Sequence, residues 1–583
     1  MRRGYILSLF LIHWTIPSFS LSALGNAASA PFSNRKPIVY TIAGSDSGGG
    51  AGIQADLHAI RSFGCHACSA ITCLTAQNSV GVTAVHAPPA AFLQTQLETL
   101  LEDMPPAAVK IGMLGTKELA VEVARFLKKL QTVSTQKIWV VLDPVMISTS
   151  GHRLIEEEAS QAMVKHIFPF VDVLTPNLFE AEALVGRKMS TVEEVEQGAR
   201  DLLAMGVPAV LIKGGHIVES NGAASTMDSY AQDYFLSSES PADEPRLCDG
   251  SRGVWLRSSR YDSQHTHGTG CTLSSAMASA LALGEQERQL ADGERRGAVS
   301  SIYPIDACCL AKAYVTAGIY SGVPLGQGPG PVAHTEFPSL HQHFPSVAIS
   351  PVTNLPAFRP MKAFRQRDSE SGDDRPTLGR ILPIVDTGDW VERLCRVPEG
   401  VTDVQLRVKD ETDPAKISEI VQKSQAFCEA AGVRLWINDH WQAAVQAGCF
   451  GVHVGQEDLV KCMETGGLEA MRKANMALGI STHSFGELAA ASGVKPSYIS
   501  LGPVFATSSK KVQFDPQGLW TVNKWRQLVD PSIPMMAIGG IGDADITMQV
   551  REAGADCVAV IGAITKADET SAAVSQLNEA MQV

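Results

Sequence analysis

At 583 residues the chain exceeds one ordinary domain, and with roughly 100–200 residues per domain, or about 250 for a large α/β one, two separate cores are expected. Its composition, 45% hydrophobic and 19% charged, is that of a soluble globular protein, and a formal net charge of -13 opposes non-specific binding to nucleic acid or anionic lipid. Small-molecule chemistry fits better, and the 12 cysteines, scattered through apolar segments without paired CxxC zinc spacings or a compact disulfide framework, are expected to be mostly reduced core residues.

Residues 1–36 read as a targeting presequence. Arg2 and Arg3 precede an apolar run from Tyr5 to Ile16, with small residues around Ser18 to Ala23, which is the layout of a signal peptide. The stretch up to Lys36 is rich in Ala and Ser, and no acidic residue occurs before Asp46, which is how a transit peptide is composed. Signal plus transit implies a plastid reached through the secretory route, with secretion or a mitochondrial destination as alternatives. The apolar run is shorter than the ~20 residues of a spanning helix, so no stable membrane association is expected.

From 37 to 342 short β-rich runs alternate with helical stretches. "PIVYTIAG" (37–44), "CSAITCL" (68–74), "KIWVVLDPV" (137–145), "VDVLTPN" (171–177) and "PAVLIKGG" (208–215) read as strands, and "AGIQADLHAIRSFG" (51–64) as a helix. A mostly parallel sheet covered by helices is the expected α/β architecture. Residues 217–264, with "SSESPADEP" at the centre, break this rhythm and read as a surface insertion. Residues 343–377, with "RQRDSESGDDRP", have no apolar period and read as a linker. Over 378–583 eight strand-like runs occur at 381–386, 403–408, 434–439, 451–455, 477–482, 498–504, 534–540 and 557–562, most followed by a helical segment. Eight βα units predict a compact TIM barrel with its site at the C-terminal strand ends.

Two loops carry the chemistry of the first half. "GSDSGGGAG" (44–52) is expected to leave backbone N–H groups free at a helix start, for a polar ligand or a tight turn. In "THGTGCTLSS" (266–275), Gly268, Thr269 and Gly270 can turn their amides toward a phosphate at a helix N-terminus.

The ordered motifs "AGSDSGGGAGIQADL", "TAQNSVGV", "KIGMLG", "VLDPVM", "TPNLFEAEAL", "KGGH" and "THGTGCTLSSA" resemble hydroxymethylpyrimidine/phosphomethylpyrimidine kinase of the ribokinase-like superfamily, over nearly all of residues 37–335. The resemblance implies a ribokinase-like α/β/α sandwich. It also implies Asp56, Gln77 and Met113 around an aminopyrimidine ring, Cys271 facing its hydroxymethyl group, and Lys213 on the nucleotide side. Asp143 and Glu180 would support Mg²⁺ near the phosphates of the co-substrate ATP.

In the second half "VQLRVKD", "WINDHWQAAVQAG", "GVHVGQEDL", "GISTHS", "LGPVFATSSKK" and "AIGGI" resemble thiamine phosphate synthase, over essentially all of 378–583. That family would place Gln405, Arg407, Lys409, Asn438, Ser481 and Lys510 on a pyrimidine diphosphate, and Asp439 and Asp458 on Mg²⁺. Thr507, Ser509, Gly540, Ile561 and Gly562 would receive the thiazole phosphate. Ser509 stands where the family commonly has threonine and keeps the hydroxyl, whereas Gly562, where serine is frequent, leaves only a backbone N–H.

Together the resemblances imply a bifunctional enzyme of thiamine biosynthesis whose partners are its small-molecule substrates, with a homo-oligomer left open. Two alternatives are a vitamin B6-type (pyridoxal) kinase activity in the first half and a non-catalytic thiamine-precursor sensor. A thiol at Cys271 suits a site that accepts first an alcohol and then a phosphate, since a neutral thiol does not repel the second. Its reference pKa near 8.5 is expected to fall at the helix N-terminus, letting a thiolate take the alcohol proton.

Overall fold

The computed structural model describes residues 36–146, 157–214, 230–238, 253–290, 297–300, 302–348, 355–364, 373–397, 400–507 and 514–582. Apart from Lys36, the expected presequence lies outside them. Among the described residues no helix is long and apolar enough to cross a membrane.

A ten-stranded sheet contains β1 (Ile38–Ser45), β2 (His66–Gln77), β3 (Val82–His86), β4 (Ala108–Ile111), β5 (Trp139–Leu142), β6 (Val173–Leu174), β7 (Ala209–Lys213), β8 (Tyr230–Ser237), β9 (Val254–Ser259) and β10 (Ser346–Ala348). Their order is β10-β9-β8-β7-β6-β5-β4-β1-β2-β3. From β2 to β7 all neighbours pair in parallel, and the strands beyond them at both edges run antiparallel. The central strands are covered on both faces, which is why "IVYTIAGS" and "AVKI" read as nearly continuous buried runs rather than alternating ones. Alternation instead sorts the faces. Tyr40 and Ile42 join the core beneath the helices Ala90–Asp103 and Lys117–Val133. Thr41, between them, points at Asp56 in the helix Gly52–Ser62. The helix Thr269–Arg288 on this second face is buried almost all round, which its small Ala, Ser and Gly residues permit.

The reading of 217–264 as a surface insertion is overturned where the structure describes it. β8 and β9 extend the sheet antiparallel from β7, with Tyr234, Phe235, Leu236, Trp255 and Leu256 buried. The polar run between the strands masked their apolar content. β3 and β4 were also not foreseen as strands.

The eight expected strands of the second half are all present and close a parallel barrel: β11 (Ile381–Val385), β12 (Asp403–Leu406), β13 (Arg434–Asn438), β14 (Gly451–Val454), β15 (Ala477–Thr482), β16 (Tyr498–Leu501), β17 (Met535–Ile538) and β18 (Cys557–Val560). Their inward side chains fill the interior, with Trp436, Tyr498 and Met536 buried there.

The expected linker is not a free spacer. His343 is buried, β10 pairs with β9, and Met361 belongs to the barrel's own apolar cluster. Phe358 is buried under the Arg472 guanidinium, 4.3 Å from its ring, and its N–H donates to the Lys495 carbonyl at 3.0 Å. Isolated apolar residues without a period therefore anchor this stretch. The sheet domain also meets the barrel directly: the Gly486 N–H donates to Asp306 Oδ1 at 2.6 Å, and the Ser300 hydroxyl to Asp515 at 3.3 Å.

Candidate functional site

In the first domain a cavity of about 510 Å³ opens at the C-terminal ends of β1, β4, β5 and β7, above the start of the helix Thr269–Arg288. Gln77, Met113, Asp143, Glu180, Lys213, Gly268, Thr269, Gly270 and Cys271 all line it. The parallel strands end here together, which brings residues distant in sequence to one rim.

Of the two readings of the glycine loop, the tight turn is the one the structure shows. The Asp46 carboxylate accepts the N–H groups of Gly48 at 2.8 Å, Gly50 at 3.1 Å and Ala51 at 2.9 Å, so these amides are engaged and the loop is a tight turn around Asp46. His267 Nε2 lies 3.1 Å from Asp46 and 3.4 Å from Gln77 Nε2, tying the two loops together. Burial alone would raise the Asp46 carboxyl, but the His267 hydrogen bond and the Gly48 and Ala51 amides outweigh it and hold it below its ordinary pKa. Gly268 is required as glycine: its φ is 82°, and a Cβ there would lie 1.9 Å from the Gly50 carbonyl oxygen.

Gly268 is the N-cap of the helix, whose ladder starts with Thr272 N–H donating to the Gly268 carbonyl at 2.9 Å. The Gly270 and Cys271 amides therefore sit in the first turn without intrahelical acceptors, at the positive end of the helix dipole. A cluster of charge flanks them. Lys213 Nζ is 2.7 Å from Asp143 Oδ1, and a Cβ on Gly270 would come within 3.2 Å of that ammonium and 3.4 Å of Asp143 Oδ2. Glu180 completes a capping box with Asn177, accepting its N–H at 2.8 Å. Burial, against Lys213 and with Asp143, pushes the Glu180 carboxyl up to about 7. Two carboxylates beside one ammonium, one of them reluctant to ionise, are a donor set that a divalent cation would relieve.

Asp56 is the predicted ring contact that the structure does not place on the cavity wall. It is fully buried, with Lys110 Nζ at 2.8 and 2.9 Å from its two oxygens and the Thr41 and Ser275 hydroxyls donating at 2.6 and 2.8 Å. Lys110, also fully buried, lines the cavity in its stead. Burial lowers the ammonium's pKa, but Asp56 outweighs it and keeps Lys110 charged. Sequence reasoning missed Lys110, Asp46 and His267. A lysine inside the wholly apolar run "AVKI" was the available signal.

The expected fall of the Cys271 pKa is overturned. Burial pushes the thiol up to about 11, and Lys110 only partly offsets this, since Asp56 and Asp143 add to it. Desolvation dominates, so the protonated thiol is the favoured form near pH 7.

In the barrel the described candidates gather at the C-terminal strand ends. Gln405 lies in β12, and its Nε2 donates to Asn438 Oδ1, at the end of β13, at 2.9 Å. Arg407 and Lys409 follow β12, Ser481 lies in β15, Thr507 follows β16, Gly540 follows β17, and Ile561 and Gly562 follow β18. Asp439 takes φ 65° and is hydrogen-bonded by Asn438 Nδ2. Asp458 lies in the first turn of the helix Gln456–Glu464 that follows β14, and pairs with Lys461 at 3.1 Å. The two carboxylates follow the adjacent strands β13 and β14, and carboxylates at neighbouring strand ends are a donor type suited to a divalent cation. Ser509 and Lys510 lie outside the described residues. One group was missed: His453 bridges the buried Tyr498 hydroxyl and the Ser481 hydroxyl, each at 2.8 Å. Among the described residues no cluster of three or more His, Cys, Asp or Glu side chains is placed to hold a metal, so any ion in either site would complete its shell with water or phosphate oxygens.

A family model described as phosphomethylpyrimidine kinase matches residues 46–293, and one described as thiamine monophosphate synthase matches residues 383–564. The probable thiamine biosynthetic bifunctional enzyme, chloroplastic, of Oryza sativa subsp. japonica is 32% identical over 550 residues, covering 93% of this chain and 88% of its own. The chloroplastic thiamine biosynthetic bifunctional enzyme of Arabidopsis thaliana is 32% identical over 545 residues, covering 91% and 90%. Over the first half alone, the hydroxymethylpyrimidine/phosphomethylpyrimidine kinase of Haemophilus influenzae is 40% identical over 304 residues, 52% of this chain and 98% of its own.

Proposed function

The chain belongs to the family of bifunctional thiamine-biosynthetic enzymes, a hydroxymethylpyrimidine/phosphomethylpyrimidine kinase fused to a thiamine phosphate synthase, and we propose that its two sites act in sequence through the residues gathered at the two rims. The kinase phosphorylates the hydroxymethylpyrimidine and then its monophosphate, and the synthase joins the resulting diphosphate to thiazole phosphate. The observation that carries the residue assignments is the convergence of the motif residues at the first cavity, with open amides of a helix start on one side and the Asp143, Glu180 and Lys213 cluster on the other.

In the kinase site Gln77 and Met113 hold the pyrimidine ring, and Lys110, with Asp56 fixing it from behind, supplies positive charge beside the reacting oxygen. The amides of Gly270 and Cys271 receive the charge that develops on the transferred phosphoryl group of ATP. Cys271 contributes a neutral wall that both acceptors tolerate. Asp143 and Glu180 are the groups that would hold Mg²⁺, which supplies charge neutralisation of phosphate oxygens. In the synthase site Arg407 and Lys409, with Lys510, stabilise the departing diphosphate, and Gln405 and Asn438 orient the ring. Thr507, Ser509, Gly540, Ile561 and Gly562 receive the thiazole phosphate, and Asp439 and Asp458 would hold Mg²⁺. The chloroplastic relatives and the composition of residues 1–36 support a plastid destination.

The test supplies the pyrimidine alcohol, ATP and Mg²⁺ to the purified chain and follows the mono- and diphosphate by mass, with pyridoxal in a parallel reaction. Preferential turnover of pyridoxal would transfer the first site to vitamin B6 chemistry, and no turnover of either would leave a sensor.

A further inference from the structure

Two cysteines outside both sites form a pair. Cys395 ends the helix Gly388–Cys395 that follows β11, and Cys428 lies in the last turn of the helix Pro414–Ala431 that follows β12. The two helices pack side by side on the outside of the barrel, and the sulfurs stand 3.7 Å apart, both as free thiols. Sulfurs at this distance are already in van der Waals contact. Cys428 is fully buried, whereas Cys395 is half-buried and can meet a reagent from solvent. Because helices run antiparallel to the strands, these C-terminal helix ends lie at the barrel face opposite the reacting ends, where changes bear on stability rather than chemistry.

We propose that Cys395 and Cys428 are a covalent modification site, a dithiol that closes reversibly to a disulfide clamping the first two helices of the barrel. The oxidant is a low-molecular-weight or protein disulfide. The Cys395 thiolate attacks one sulfur of that disulfide, breaking its S–S bond and releasing one thiolate, and leaves a mixed disulfide on Cys395. The Cys428 sulfur, on losing its proton, attacks Cys395, forming the internal bond and expelling the second thiolate. Two electrons pass to the external disulfide, which ends as two thiols carrying the two protons. The order of attack follows from exposure: Cys395 is half-buried and reachable by an external disulfide, whereas Cys428 is fully buried behind it and meets only the Cys395 sulfur. The third thiol nearby, Cys449, is buried and pushed up to about 12, which makes it a poor competitor.

The full chain is incubated with oxidised glutathione or with dithiothreitol, alkylated without reduction, digested and analysed by mass. The expected result is a peptide pair joined through Cys395 and Cys428, removed by dithiothreitol, present in Cys449→Ser and absent in Cys395→Ser. Closing a loop of about thirty residues should raise the barrel's melting temperature by on the order of 5–10 °C in wild type and in Cys449→Ser only, with coupling activity changed less than about twofold. Stable glutathione on Cys395 with Cys428 still alkylatable, or a bond between Cys428 and Cys449, would overturn the proposal.

Discussion

The buried ion pair beneath the kinase cavity makes the most demanding prediction. Lys110→Met removes an ammonium while keeping nearly the same volume, so it changes charge without opening a void. Asp56 would keep the Thr41 and Ser275 hydroxyls but lose a cation 2.8 and 2.9 Å from its oxygens, at a site with no solvent exposure. Breaking a buried pair from one side costs about 3–5 kcal/mol, because a charge is left uncompensated. At 2–4 °C per kcal/mol this lowers the melting temperature of the first domain by roughly 6–20 °C. The double variant Lys110→Met/Asp56→Asn leaves no stranded charge and should recover at least half of that loss, a coupling typical of contacting residues. Differential scanning fluorimetry of the full chain reads the shift. Kinase turnover should be lost in both variants, and coupling from supplied pyrimidine diphosphate retained. A Lys110→Met chain melting within about 2 °C of wild type, or a double variant whose loss is the sum of the singles, would mean that the pair is not coupled in this way.

Asp439→Ala and Asp458→Ala are each expected to abolish coupling and leave both kinase steps intact; wild-type coupling in either at limiting Mg²⁺ would show that the metal is held elsewhere. Cys271→Asp should keep measurable first-step activity but lose the second step disproportionately, since like charges at about 4 Å repel by about 4 kcal/mol, roughly a thousandfold, a ratio single-turnover kinetics will read. A thiol at about 11 is less than about one part in a thousand ionised at pH 7, and it stays protonated through pH 9, so Cys271→Ala should leave the shape of the first-step pH profile unchanged from pH 6 to 9. A fragment beginning at Leu355 should fold and couple, whereas one beginning at Pro376 loses the buried Phe358 and Met361, worth about 3–6 kcal/mol together, and should unfold at correspondingly lower urea; equal midpoints would contradict this.

The barrel was the most legible part of the chain because each strand carries its own apolar run and the chemistry sits immediately after it. "WIND" and "GISTHS" announce both the strand and the site residues at its end. The sheet domain was less legible where context overrode local pattern. β8 and β9 hide beside a polar stretch, and Phe358 and Met361 anchor singly. Charge environments were the least legible. Which residue surrounds Asp56, and whether burial or a helix terminus sets the Cys271 pKa, depend on packing between segments far apart in sequence. Lys110 shows the recoverable part, since a cation in a strand buried on both faces implies a buried partner.

The most direct test of two sequential sites on one chain is a single reaction of the full-length protein with isotope-labelled hydroxymethylpyrimidine, ATP, Mg²⁺ and thiazole phosphate, followed by mass. Labelled monophosphate, then diphosphate, then thiamine phosphate should appear in turn, with coupling stopped and diphosphate accumulating in Asp439→Ala. Labelled thiamine phosphate formed by a Lys213→Ala/Asp143→Ala chain at the wild-type rate, or no labelled thiamine phosphate from wild type, would contradict this sequence of steps.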